Sequence, residues 1–230
     1  MIKGLFFDFN GVIIDDEPLQ LKAYQEVLKQ YSINLSEEQY YASMGMDDKA
    51  FLRAAFRRDN KELTADLLQS AMEAKSASHR AMIEQELPLF PGVVDFVKAA
   101  ARRYRLALVS MARGVEIEYV LERAQLKSLF SVVISADGVN NHKPDPECFQ
   151  LAFDRVNEIL RQQRQLPFLP HECLVIEDSA QGVQAGRALG MRTLGVTNTI
   201  SEAALRAAGA EVVTASLADW TVDAVELVYR

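Results

Sequence analysis

After Pro88-Leu89-Phe90-Pro91-Gly92 the chain alternates short, fully apolar runs with amphipathic helical stretches. The runs are Leu106 to Val109, Val132 to Ile134, Leu174 to Ile176, Thr193 to Val196 and, more weakly, Glu211 to Val213. Apolar runs of that length, separated by helix, predict strands buried on both faces of a parallel sheet. A similar run, Leu5-Phe6-Phe7, stands alone at the start, and its partners arrive only after a long interruption. From Glu17 to Glu86 the chain is nearly free of β-branched runs and rich in Leu, Ala, Glu, Gln, Lys and Arg. Helical spacing is visible in Leu21, Tyr24, Val27 and Leu28, and again in Leu63, Leu67 and Ala71. Ser36-Glu37-Glu38-Gln39 has the form of a capping box opening a further short helix. The expected architecture is a Rossmann-like parallel sheet core, residues 1–15 and 89–230, split by an all-helical cap, residues 16–88. Asp15-Asp16-Glu17-Pro18 and Leu87 to Pro91 form the two crossings, expected to act as hinges that let the cap close and exclude water.

The first strand delivers Asp8, followed at once by Phe9, Asn10 and Gly11. Open α/β sheets keep their ligand crevice at the carboxyl ends of the strands, so chemistry is expected at Asp8. The other strands end in polar groups too: Ser110 after Val109, Asn141-His142-Lys143-Pro144 beyond Ile134, and Glu177-Asp178-Ser179 after Ile176. Strand ends of a parallel sheet share one edge, which makes Asp8 and Asp178 neighbours. Two adjacent carboxylates are costly unless a cation or proton sits between them, and a hard divalent ion such as Mg²⁺ resolves that conflict. Ser110 offers a hydroxyl and Lys143 a fixed positive charge, both suited to phosphoryl oxygens. Together they describe phosphoryl transfer to Asp8 as nucleophile.

These residues, taken in order, resemble the four motifs of the haloacid dehalogenase-like hydrolases, in the subgroup with a helical cap after the first strand. Asp8-Phe9-Asn10-Gly11-Val12 is similar to the first motif, Ser110 to the second, Lys143 in His142-Lys143-Pro144-Asp145-Pro146 to the third and Glu177-Asp178-Ser179 to the fourth. Gln181 to Gly186 continues in the family's manner, so the resemblance covers essentially the full length. It implies an aspartyl-phosphate intermediate on Asp8, phosphoryl binding by Ser110 and Lys143, and Mg²⁺ held by Asp8, Asp178 and the backbone carbonyl of Asn10, with Glu177 as a further candidate. Substrate binding is assigned to Ser110, Met111, Arg113, Lys143 and the cap glycine Gly45. Arg113 is the candidate for a second anionic group.

One position departs from the pattern. The family's phosphatases and mutases carry an aspartate two residues after the nucleophile, which protonates the leaving oxygen and then activates water, and here it is Asn10. An amide does neither, and losing a positioned acid/base costs about 10² to 10⁴-fold. Three readings stay open: an engineered trap, a specialised branch in which water or substrate moves the proton, and a protein that chiefly binds phosphorylated ligands. The expected activity is a Mg²⁺-dependent phosphatase acting on a small phosphorylated metabolite, foremost a sugar phosphate. The alternatives are a β-phosphoglucomutase-like mutase, a dehalogenase- or phosphonatase-like hydrolase, and a non-catalytic binder. Lys49 is the cap lysine to watch for phosphonatase chemistry, but Asp47-Asp48-Lys49 is also an ordinary helix start, and the solvent-facing reading of Lys49 is favoured.

The net charge of -7 and the lack of a Lys/Arg-rich block exclude nucleic acid as an expected partner. No apolar run approaches the roughly 20 residues that span a bilayer, and no leader pattern precedes the first strand, so no membrane partner and a cytoplasmic location are expected. Cys148 and Cys173 have no metal-site spacing and read as buried thiols. His79, His142 and His171 share no ligand spacing and read as surface or packing residues. Oligomeric state is left open by the sequence.

Overall fold

The computed structural model describes residues 1–43 and 46–230. Six parallel strands form one sheet: β1 (Gly4–Phe7), β2 (Arg105–Val109), β3 (Phe130–Ile134), β4 (Cys173–Glu177), β5 (Arg192–Val196) and β6 (Val212–Thr214). Their order is β3-β2-β1-β4-β5-β6, so the first strand lies in the middle, paired with β2 on one side and β4 on the other. The chain builds outward from β1 in one direction and then in the other. The strand order therefore reverses beside β1, and the crevice outside its carboxyl end is the expected ligand position.

Both faces of the sheet are covered, which is why β1 reads as an unbroken apolar run instead of an alternating one. Leu5 and Phe7 point to one face, where they share a core with Leu108, Ile176, Phe96, Ile117, Val120 and Val225. Those partners bring in α5 (Val93–Ala100), α6 (Gly114–Arg123) and α10 (Val222–Val228). Phe6 points to the other face with Val109, Val132 and Val175, packed against Phe149, Ala152 and Ala185 of α7 (Glu147–Gln162) and α8 (Ala180–Ala188). A short α9 (Glu202–Ala208) joins β5 to β6.

Between β1 and β2 run α1 (Glu17–Gln30), α2 (Glu37–Tyr41), α3 (Asp48–Arg58) and α4 (Ala65–Gln85). They close around a hydrophobic core of their own, with Tyr24, Leu28, Tyr40, Phe51, Leu52 and Met72 buried together. The starts of these helices obey local chemistry. Ser36 and Gln39 complete a reciprocal capping box on α2, and Asp47 Oδ1 accepts the Ala50 amide at 2.7 Å to start α3. Leu87 to Pro91 returns the chain to the sheet. There Gly92 takes the left-handed conformation, φ 75°, directly before α5, as only glycine does at no steric cost. Cys148 and Cys173 are buried and unbridged, and burial pushes their thiols up to about 11 and about 12. No described helix is long and apolar enough to cross a membrane.

Candidate active site

β1 ends at Phe7, in register with Ile176 of β4, so the next residues, Asp8 and Glu177, emerge side by side at the crevice. The Asp8 amide still donates to the Ile176 carbonyl at 2.9 Å, which fixes where the carboxylate leaves the sheet. Into this corner reaches Lys143. Its Nζ donates to Asp8 Oδ1 at 2.9 Å, to Glu177 Oε1 at 2.5 Å and to the Val109 carbonyl at 3.2 Å. The lysine is 3% exposed and both of its acidic partners are buried. Desolvation alone would lower its pKa, but the two carboxylates outweigh that and hold the ammonium above the ordinary lysine range. Lys143 is a fixed positive charge.

The acidic side is not fully balanced by it. Burial, with Glu177 next, pushes the Asp8 carboxyl up to about 7 despite Lys143. Asp178 is held well above the usual carboxylate range by burial and by the charges of Glu177 and Asp8. Asp8, Glu177 and Asp178 each bring a carboxylate oxygen to within 4.8 Å of the others. An all-oxygen, surplus-negative donor set of this kind suits a hard divalent cation such as Mg²⁺. The three acids are not equivalent in it. Glu177 gives Oε1 to Lys143, while Oε2 accepts the amides of Asp178 and Ser179 and the Ser179 hydroxyl. It is a buried brace, and the freer oxygens belong to Asp8 and Asp178. Asp178 Oδ2 accepts the Thr199 hydroxyl.

Two glycines make this packing possible. A Cβ at Gly11, which sits at φ +73°, would lie 1.8 Å from Asp178 Oδ2. One at Gly182 would lie 1.7 Å from Glu177 Oε1. The backbone thus approaches both acids more closely than any side chain allows.

Of the residues expected from sequence, Asp8, Asn10, Ser110, Met111, Lys143 and Asp178 line one cavity of about 90 Å³ between the sheet edge and the cap helices. The Ser110 Oγ accepts the Ala112 amide at 3.0 Å, a contact that sets its rotamer. Asn10 spends its amide on the crossing into the helical segment, donating to Asp16 Oδ1 at 2.8 Å. Two residues sit elsewhere. Arg113 turns to the cap, where Nη1 donates to the Met72 carbonyl at 3.3 Å and to Ser76 Oγ at 3.0 Å. Lys49 is exposed on the outer side of α3, and Gly45 lies outside the described residues.

The cap contributes groups that the sequence reading missed. Lys75 of α4, 2% exposed, lines the cavity and pairs with Asp48 Oδ1 at 3.2 Å and Glu116 Oε1 at 3.3 Å. Burial pulls its pKa down, but those two carboxylates outweigh it and hold the ammonium above the ordinary range. Tyr24 donates its hydroxyl to Asp48 Oδ1 at 2.5 Å. At the crossing before α1, Asp16 is fully buried; it accepts Gln20 Nε2 at 2.8 Å, and His79 Nε2 lies 2.7 Å from its Oδ2. One signal was present in the sequence: Lys75 and His79 fall on the same face of α4 as Leu68, Ala71 and Met72, a lysine and a histidine on an otherwise apolar stripe.

Comparison with known proteins agrees with this geometry. Residues 5–196 match the family model described as haloacid dehalogenase-like hydrolase. The chain is 31% identical over 193 residues to the fructose-1-phosphate phosphatase YqaB of Escherichia coli, covering 84% of this chain and 95% of that one. It is 29% identical over 215 residues to a phosphorylated carbohydrates phosphatase of Thermotoga maritima, covering 91% and 92%. Among solved structures, β-phosphoglucomutase from Clostridium difficile superposes with a TM-score of 0.85 at 20% identity, over 100% of this chain and 97% of that one, a likeness of fold. The family match over most of the chain, joined to a lysine-braced carboxylate cluster at the edge of the sheet, places this protein among the haloacid dehalogenase-like hydrolases.

Proposed function

We propose that the protein removes phosphate from a small phosphorylated carbohydrate through an aspartyl-phosphate on Asp8, with Mg²⁺ held by Asp8, Asp178 and the backbone carbonyl of Asn10. The observation that carries this reading is the position of Lys143 Nζ, within 2.9 Å of the Asp8 carboxylate and 2.5 Å of Glu177, at the mouth of a cavity roofed by the cap. A carboxylate so placed forms the new bond to phosphorus while the bond to the ester oxygen breaks. Lys143 and Ser110 hold the phosphoryl oxygens as charge redistributes over them. Water then attacks phosphorus, the acyl phosphate bond breaks, and Asp8 is regenerated. Mg²⁺, when bound, supplies charge neutralisation between Asp8 and Asp178 and polarises the phosphoryl oxygens. The names of the relatives, a fructose-1-phosphate phosphatase and a phosphorylated carbohydrates phosphatase, support the substrate class. The residues favour this reading over phosphonatase chemistry, because Lys49 is exposed and the ammonium of Lys75 is held charged by its carboxylate partners, a poor amine nucleophile.

Phosphate release from phosphorylated carbohydrates, measured with Mg²⁺ and again with a chelator, tests the proposal. Release is expected with the metal and not with the chelator; no release from any ester in Mg²⁺ overturns it. A second measurement tests the ion itself. The carboxyl of Asp8 sits at about 7 in the folded protein against an ordinary value near 4, so the metal-free fold binds protons more tightly than the unfolded chain. Its stability is therefore expected to fall as pH rises through that window. A cation that binds the ionised form offsets the loss, so Mg²⁺ should raise the melting temperature more at pH 8 than at pH 5, about one unit above the unfolded carboxylate value. Equal increments at the two pH values contradict a metal seated on these carboxylates.

A further inference from the structure

The far wall of the cavity, away from Lys143, is built from cap side chains with an unusual balance of charge and hydrogen-bonding capacity. Lys75 is the one cation lining that wall among the described residues, and it is already paired with Asp48 and Glu116. Glu116 reaches in from α6 of the core and accepts the Ser76 hydroxyl at 2.6 Å as well, so the wall is locked across the cap-core contact. Arg113, the other nearby cation, does not line the cavity: Nη1 donates to the Met72 carbonyl and the Ser76 hydroxyl, and Nε is buried without a partner among the described residues. Among the described residues, no cation without a carboxylate partner lines this wall to meet a second anionic group.

The same wall carries acceptors without donors. Asp48 Oδ2 and Gln20 Oε1 are both buried, both belong to residues that line the cavity, and neither has a hydrogen-bond partner among the described residues. Buried acceptors left unpaired are costly, and the ligand that satisfies them must bring O–H or N–H groups. A second phosphate or a carboxylate brings acceptors and negative charge only. It would leave these oxygens unpaired and meet Asp48 and Glu116 at close range.

We infer that the cap wall selects the leaving group of the substrate: a neutral, hydroxyl-bearing moiety whose O–H groups donate to Asp48 and Gln20, with Asp48 and Glu116 excluding any substrate that carries a second anion. This rests on the phosphatase reading above and narrows it to monophosphates of sugars or polyols, excluding bisphosphates, phosphorylated carboxylates and pyrophosphate. Sites built around hydrogen-bonding groups reject ligands that cannot pair them far more strongly than apolar pockets reject a misfit.

Calorimetric binding to the Mg²⁺-loaded full chain carrying Asp8→Asn separates this selection from turnover. The probes are fructose-1-phosphate, the ester named for the Escherichia coli relative, and the corresponding fructose bisphosphate. The monophosphate is expected to bind about tenfold or more tightly than the bisphosphate. Adding Glu116→Gln, or Asp48→Asn as the independent second variant, releases Lys75 and should shrink that ratio about tenfold by strengthening the bisphosphate. Bisphosphate binding as tight as monophosphate in the parent, or a ratio unmoved in both variants, overturns the inference, as does failure of the monophosphate to bind. Monophosphate preference in a protein whose Asp8 form releases no phosphate would leave the selection standing and remove the phosphatase reading instead.

Discussion

Asn10→Asp is expected to raise turnover on sugar monophosphates by about 10² to 10⁴-fold, the usual worth of a positioned acid/base group. In the proposed mechanism an amide at position 10 neither protonates the departing alkoxide nor deprotonates the attacking water, which leaves both tasks to solvent or substrate. The hinge modifies that gain. The Asn10 amide donates to Asp16 Oδ1 at 2.8 Å, while the other oxygen of Asp16 takes Gln20 and lies beside His79. Two carboxylates in place of that amide-carboxylate contact repel unless a proton is shared between them. The single substitution should therefore perform better once Asp16→Asn is added, which restores an amide to the pair. Steady-state phosphate release from the single and double variants checks this. Equal rates in parent and Asn10→Asp would mean that proton transfer is handled elsewhere.

Asp8→Asn is expected to lower turnover to the detection limit, a loss of about 10⁴-fold or more, because an amide cannot form the acyl phosphate and no other described acid is as well placed. Glu177 has its oxygens occupied by Lys143, Ser179 and two amides, and Asp178 lies in the same acidic cluster as the expected metal ligand. The variant should fold. Replacing Asp8 removes one of the negative charges that push Asp178 up, so thermal stability without metal should hold or rise, and lost turnover is then not lost structure.

Much of this is legible in the sequence. The strand at Leu5 to Phe7 and its terminal Asp8 were readable because an apolar run stops abruptly at a carboxylate and a glycine. The Ser36 capping box and the breaker before α5 were readable because both are local chemistry, settled within a few residues. The cap wall was not. Lys75, Asp48 and Glu116 are separated by 27 and 41 positions, and their meeting depends on how α3, α4 and α6 approach one another. Periodicity says that Lys75 is on a buried face, not which acids will meet it there. Lys49, whose favoured reading is a solvent-facing residue of a helix start, is exposed: α3 begins at Asp48, which turns inward, and the next position along a helix points away. Arg113 illustrates the same limit. A cation three residues after Ser110 looks available for substrate, yet the neighbouring cap helix claims it through a backbone carbonyl and a serine.

In the proposed mechanism a carboxylate oxygen of Asp8 carries the phosphoryl group, and Asn10 is the reason Asp8 is slow to give it up. An aryl phosphate, whose leaving group needs no proton, should load Asp8 quickly while hydrolysis of the acyl phosphate waits on unassisted water. Mixing the Mg²⁺-loaded protein with p-nitrophenyl phosphate, quenching in acid and locating the label by peptide mass spectrometry is the most direct measurement. A burst of nitrophenol close to the amount of enzyme, with a phosphoryl group on the peptide containing Asp8 and none in Asp8→Asn, is the predicted result. Steady turnover with no phosphorylated peptide, or a phosphoryl group on another residue, would contradict it.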